Sequence, residues 1–185
     1  LNKLIELYRE FLLKRNQFVE ETFEYNDLIE STEGVEYHSI KAQRIVFTEG
    51  FGIHKNPYFK YLPLEGTKGE LITIQAPTLK LESILKSSIF VIPMEEDRYL
   101  VGSTYEWTDK TNSPTQEAKT ELLEKLERLI DCEFEVVDQR AGIRPTVVDR
   151  RPLVGQHSNH KSMYVLNGLG TRGVLVAPAM AEALY

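Results

Sequence analysis

Cysteine is almost missing. Cys132 stands alone among 185 residues, which excludes an internal disulfide and a zinc or iron–sulfur centre built from cysteines. Such usage fits a reducing cytosol, and a cytoplasmic setting is the expectation. No run of about 18 apolar residues occurs, so nothing reads as a membrane span, and no secretory signal pattern is visible. A basic excess is missing too: 22 Lys and Arg face 28 Asp and Glu, for a net charge of −6. A surface of that sign is poorly suited to gripping nucleic acid as a whole, although a local basic patch stays open. There is no internal repeat and no low-complexity tract. What remains, 42% hydrophobic and 27% charged residues, is the split of an ordinary globular chain. Its length suits one domain, or one plus part of another. The sequence begins at Leu1 without a methionine and stops at Tyr185 inside a helix-like run. A piece of a longer protein is therefore expected.

Leu4, Ile5, Leu7, Tyr8, Phe11 and Leu12 recur at helical spacing, with Glu6, Arg9, Glu10 and Lys14 on the other face. This predicts an amphipathic helix over 2–15. Strands are predicted over 17–23, 34–39 and 44–48, the last running into the turn Glu49-Gly50-Phe51-Gly52. Asn56-Pro57 and Leu62-Pro63 mark an irregular stretch over 51–66. Strands follow over 70–75, 88–93 and 99–104, the last two joined by the polar loop Glu95-Glu96-Asp97. Ser113-Pro114-Thr115 opens a second helix, with Pro114 in its first turn and Leu122, Leu123, Leu126, Leu129 and Ile130 on its apolar face. Residues 133–139 and 162–166 read as strands, 141–155 as irregular, and 168–173 as the lead into a final helix. The order of elements makes the fold class α+β.

Gly168-Leu169-Gly170-Thr171-Arg172-Gly173 fits G-x-G-x-x-G between a predicted strand and a predicted helix, the form of a dinucleotide fingerprint. Only twelve residues follow Gly173. A full unit needs a helix, a second strand and an acidic residue about 20 positions on. The physics of the turn survives without them. Glycines let the backbone approach a planar or anionic ligand, and a helix N-terminus presents unpaired N–H groups with about half a positive charge. An ordinary glycine-rich strand-to-helix turn is the other reading.

Three stretches carry a family likeness. Leu62-Pro63-Leu64-Glu65-Gly66-Thr67-Lys68-Gly69-Glu70 is the first. Ala141-Gly142-Ile143-Arg144-Pro145-Thr146 with Asp149-Arg150-Arg151-Pro152-Leu153-Val154-Gly155 is the second. Asn167-Gly168-Leu169-Gly170-Thr171-Arg172-Gly173 with Ala177-Pro178 is the third. In this order and spacing the chain, over 3–185, resembles the D-amino-acid-oxidase-like FAD-dependent oxidoreductases. That group includes glycine oxidase, sarcosine oxidase and the FAD domain of a bifunctional tRNA wobble-uridine modification enzyme.

The resemblance implies the C-terminal half of a longer enzyme. An antiparallel and mixed β-sheet substrate domain with flanking helices would occupy 51–155. Pieces of a Rossmann-like FAD domain would lie at 1–50 and 156–185. The family's N-terminal fingerprint, which holds the ADP half of FAD, is not in this sequence. FAD is the implied cofactor. The implied partners are the missing N-terminal FAD-binding half of the same chain and a small carboxylate or amine substrate, with no membrane and no nucleic acid. The 185 residues by themselves are expected to bind FAD poorly or not at all and to be inactive.

The resemblance also implies site residues. Arg144 would pair with a substrate carboxylate, and its planar fork suits two parallel charge-assisted hydrogen bonds; a structural ion pair with Asp149 is the alternative. Arg172 would reach the flavin edge or the substrate, or else lie solvated in its loop. Tyr105 would hydrogen-bond substrate, or pack as a strand aromatic. Phe90 is a pocket-wall candidate or a core residue, and Trp107 a pocket lid or a half-buried aromatic. Lys68 would reach the flavin or its pyrophosphate, or be a solvated lysine. Gly50, Gly168, Gly170, Thr171 and Gly173 are the backbone positions expected to approach FAD. Arg150-Arg151 reads as structural. His157 and His160 lack a third ligand and read as surface histidines, so no metal site is expected. No strong general base is evident, and no catalytic residue is assigned.

The implied reaction is oxidation of a C–N bond of a small amino acid or amine, with hydride transfer to flavin. Removal of a carboxymethyl group in a tRNA-modification pathway is the alternative on the same scaffold, and a non-redox binding module is the third.

Overall fold

The computed structural model describes residues 2–185. The chain divides into two compact units, Leu1–Gln43 and Arg44–Tyr185. In the first unit, the predicted amphipathic helix forms as α1 (Asn2–Lys14), and its apolar residues Leu4, Ile5, Leu7, Tyr8 and Phe11 are exposed. The strand expected over 17–23 does not form. Instead the Phe23 ring stacks on Tyr37 at 4.3 Å, and the Glu24 N–H donates to the Tyr37 hydroxyl. Burial here comes from ring stacking and needs no ladder. The strand expected over 34–39 forms as the middle of a three-stranded antiparallel sheet: β1 (Leu28–Ser31), β2 (Gly34–Tyr37) and β3 (Ile40–Ala42). It ends at Tyr37 because His38 turns the chain with φ 51°.

The second unit holds two sheets. β4 (Ile45–Phe47) lies parallel to β11 (Met163–Asn167), which pairs antiparallel with β10 (Leu153–Gln156). The other sheet is antiparallel, ordered β6-β7-β8-β5-β9, from β5 (Thr67–Gln75), β6 (Leu85–Lys86), β7 (Phe90–Pro93), β8 (Arg98–Gly102) and β9 (Glu135–Arg144). The stretch expected to be irregular over 141–155 is thus strand at both ends. The full-length ladder with β5 carries β9 through Gly142 to Arg144, overriding glycine's weak strand preference. Thr73 pairs Asp138 and Ile74 pairs Val136, so Val137 is the extra residue of a bulge.

α2 (Gln116–Leu126) begins one residue after Thr115, whose hydroxyl accepts from the Ala118 N–H. Pro114 therefore precedes the cap and lies outside the first turn. Leu122 and Leu126 are fully buried against Ile72, Ile74, Val91, Tyr99 and Val101 of the five-stranded sheet. α3 (Gly173–Leu184) follows a 3-10 turn, Gly170–Arg172. Among the described residues no helix is long and apolar enough to cross a membrane.

Candidate active site

β5 divides its side chains by parity, as every strand must. Thr67 and Gly69 face one way; Lys68, Glu70, Ile72 and Ile74 face the other. On the Thr67 face, the Thr67 hydroxyl shares a 2.7 Å hydrogen bond with that of Thr146. Both threonines line a cavity of about 600 Å3. Tyr105, Trp107, Val148, Arg150 and the turn over 168–172 complete most of its wall. No Asp or Glu lines it.

Arg144 ends β9 directly opposite Thr67. Its guanidinium lies over Gly69, where an added Cβ would overlap it, and 4.7 Å from the centre of the Tyr105 ring. Its guanidinium donates one long hydrogen bond, 3.4 Å to the Thr104 carbonyl. Asp149, the alternative partner, instead faces Arg151 and accepts from the Arg151 N–H. Among the described residues no carboxylate forms an ion pair with Arg144. Burial pulls its pKa below the ordinary guanidinium value, and Tyr105 opposes that pull; a guanidinium stays charged regardless. The site thus presents a half-buried cation stacked on an aromatic wall residue, with no anion of its own.

The second and third motif stretches meet here. The Gly170 N–H donates to the Pro145 carbonyl at 3.0 Å, and Thr146 O accepts from the Glu65 and Gly66 N–H groups. Gly168 and Gly170 take φ of 68° and 58°, values open to glycine and costly for other residues. A Cβ at Gly168 would also meet Val147 at 2.7 Å. Arg172 precedes α3, which runs straight on from the 3-10 turn and has no side-chain cap. Gly50, with φ 57°, offers its carbonyl to Asn167 Nδ2 at 2.9 Å. Buried Asn167 in turn accepts from the Gly168 N–H, tying the two glycine turns together.

Tyr105, Gly168, Gly170, Thr171 and Arg172 therefore share one cavity, Arg144 touches it through Tyr105, and Gly173 opens the helix beside it. Phe90 is not on that wall; it pairs with Gly102 on β8, and its ring packs over that glycine. Lys68 is not solvated. It is 1% exposed, and its ammonium is held by Asp109 and the Ser113 carbonyl, each at 2.5 Å, with Glu70 at 3.4 Å. Burial alone would lower its pKa, but the Asp109 hydrogen bond and the charges of Glu70 and Asp109 outweigh it and raise it. Its side chain points away from the cavity floor. Arg150, read as structural, lies on the cavity wall. His157, expected at the surface, is buried: Nδ1 accepts from the Asn159 and His160 N–H groups, leaving Nε2 to donate to the Tyr58 carbonyl. Thr67 and Thr146 carried no signal as site residues, because their small polar side chains are brought together by the β5–β9 pairing.

The profile of the family described as FAD dependent oxidoreductase (DAO) matches residues 12–185. The tRNA 5-methylaminomethyl-2-thiouridine biosynthesis bifunctional protein MnmC of Pseudoalteromonas atlantica is 28% identical over 190 residues, covering 84% of this chain and 27% of that protein. Glycine oxidase of Pseudomonas putida is 30% identical over 129 residues, covering 65% of this chain and 34% of that protein. Among solved structures, iminodiacetate oxidase from Chelativorans superposes with a TM-score of 0.70 at 21% identity, over 85% of this chain and 47% of that one. This last likeness is one of fold. The chain spans about a quarter of the first relative's length and less than half of the others'.

Proposed function

Because the chain belongs to the FAD-dependent oxidoreductase family, we propose that it is the substrate-holding half of an enzyme that oxidises a C–N bond of a small amino acid or carboxylate-bearing amine. The observation that carries this reading is the guanidinium of Arg144, charged, half-buried and without an acid partner. A cation in that state is stabilised by an incoming carboxylate, which supplies both counter-charge and bidentate hydrogen bonds. In this reading residues 51–155 form the substrate domain, and 1–50 and 156–185 complete an FAD domain begun elsewhere in the protein.

The residues present fit one end of FAD. The positive end of α3, uncapped by any side chain, and the bare backbone at Gly168 and Gly170 suit a planar ring with an electron-rich edge. Gly168, Gly170, Thr171, Arg172 and Gly173 would hold that edge, with Gly50 behind them. When bound, FAD supplies the hydride acceptor. Arg144 orients the substrate by its carboxylate, Tyr105 backs the guanidinium, and Arg172 adds positive charge at the turn. The substrate carbon gives up a hydride and its nitrogen a proton; water then cleaves the resulting imine.

A second reading is removal of a carboxymethyl group from a modified tRNA uridine. More than half-exposed Tyr105 and Trp107, on one wall with Arg150, favour it, since a base can stack on such rings. It needs the same carboxylate hold by Arg144.

The test uses the full-length protein that carries this chain, offered glycine and N-methylglycine under oxygen. Retained flavin and hydrogen peroxide release are expected. Arg144→Ala should raise KM for both substrates about 100-fold or more while FAD stays bound. A protein that stays colourless with added FAD, or equal loss of FAD and substrate in the variant, overturns the reading. Turnover confined to carboxymethylated tRNA selects the second.

A further inference from the structure

We infer that Lys68, clasped by Asp109 and Glu70, is a positioning residue that holds the aromatic wall of the cavity against Arg144. The inference rests on the carboxylate-binding reading above. Residues 103–115 cross from β8 to α2 without regular structure, yet they carry Tyr105 and Trp107, two of the cavity's largest side chains. Such a segment has no ladder of its own to fix it, so its position must come from elsewhere.

It comes from one face of β5. The Lys68 and Glu106 main chains exchange two hydrogen bonds, at 2.8 and 2.9 Å, and the Thr104 N–H donates to the Glu70 carbonyl at 3.3 Å. Alternation then sends Tyr105 and Trp107 to the same side as each other and opposite Glu106. The Lys68 side chain reaches beneath the segment to Asp109 Oδ2 and the Ser113 carbonyl. Two residues on, Glu70 accepts from the Thr115 N–H, the Thr115 hydroxyl and Gln139 Nε2, each at 2.9 Å. Lys110 closes the loop from outside, donating to the Gly66 and Trp107 carbonyls.

The geometry separates two roles on adjacent residues. Thr67 forms cavity floor, and Lys68 forms the tether below the loop. Lys68 and Glu70 are 1% and 3% exposed as side chains, so each is costly to leave unpaired. That cost makes the loop's position nearly unique. Asp109 is the accessible end of the tether, with about a third of its side chain exposed. Removing its carboxylate loosens the loop while Glu70 still neutralises Lys68, and the fold survives. The ring of Tyr105 then wanders from beneath the Arg144 guanidinium, and the carboxylate grip weakens.

The test compares the full-length holoenzyme with its Asp109→Ala, Asp109→Glu and Lys80→Ala variants. Lys80 makes an ion pair with Asp97 elsewhere in the unit and serves as control. Asp109→Ala should raise KM for glycine, and the dissociation constant of acetate read from the flavin spectrum, about tenfold. Its kcat should stay within about twofold. Amide hydrogen exchange should quicken over 104–109 and not over 116–126. Asp109→Glu should recover most of the affinity, and Lys80→Ala should match wild type. Equal affinities in wild type and Asp109→Ala, unchanged exchange over 104–109, or a joint fall in kcat and affinity with bound FAD would overturn the clasp. A wild-type holoenzyme that binds neither glycine nor acetate overturns the carboxylate-binding reading first, and this inference with it.

Discussion

Gly69→Ala isolates the carboxylate grip from the fold. Gly69 has no positive φ, so its backbone accepts an alanine, and the atoms nearest an added Cβ all belong to the Arg144 guanidinium: Nη2, Nη1 and Cζ. Ordinary van der Waals contact begins near 3.4 Å, and the added methyl falls well inside 3.0 Å. The guanidinium must therefore retreat by roughly 1 Å or more, a displacement that can cost about 100-fold when the group orients a reactant. It leaves the Tyr105 ring and the 3.4 Å bond to the Thr104 carbonyl. The strand itself loses nothing, and replacing glycine stiffens the unfolded chain by about 0.4–1 kcal/mol. The expected result in the full-length enzyme is an unchanged or slightly raised Tm, unchanged FAD content, and kcat/KM for glycine lowered about 10- to 100-fold. A properly folded variant with kcat/KM within twofold of wild type would refute the placement of Arg144 as the carboxylate anchor. So would a large drop in Tm, since that would mean that Gly69 is required by the sheet.

Three further outcomes are expected. The Lys68 hydrogen bond holds the Asp109 pKa down at about 2. Because this folded value lies below the ordinary carboxylate value, Asp109 contributes stability above pH 4 that is lost as pH falls toward 2; Asp109→Asn should flatten urea-measured stability against pH in that window. Leu122→Ala removes a fully buried side chain from the α2–sheet core and should cost about 2–5 kcal/mol by chemical denaturation. Gly168→Ala meets both a φ of 68° and the Val147 side chain, so it should cost about 1–3 kcal/mol and reduce FAD retention, measured as flavin absorbance per protein after gel filtration.

The parts of the fold that showed in the sequence are those with a strong local signal. The α1 stripe, the leucines of α2, the β7–β8 hairpin and the glycine turn before α3 all follow from spacing over a few residues. The parts that did not show depend on distant partners. Nothing from Ala141 to Arg144 reads as strand; β5 makes it so. Conversely, Gln17 to Phe23 alternates plausibly but finds no neighbouring strand. In the site, Arg144 and the glycine turn were legible because they sit in fixed-spacing motifs. Lys68 was legible as special but not as a tether, since Asp109 lies 41 positions away.

Parity along β5 also makes register a matter of chemistry as well as stability. Slide this strand by a single residue against β9 and every side chain changes face. An ammonium would then enter the cavity opposite Arg144, and a threonine would be left to tether Asp109. The bulge at Val137 falls beyond Thr73, so the pairing from Thr67 to Thr73 runs in one unbroken register to the end that carries Arg144, and the side chains that meet substrate and those that tether the loop keep their separate faces along all of it.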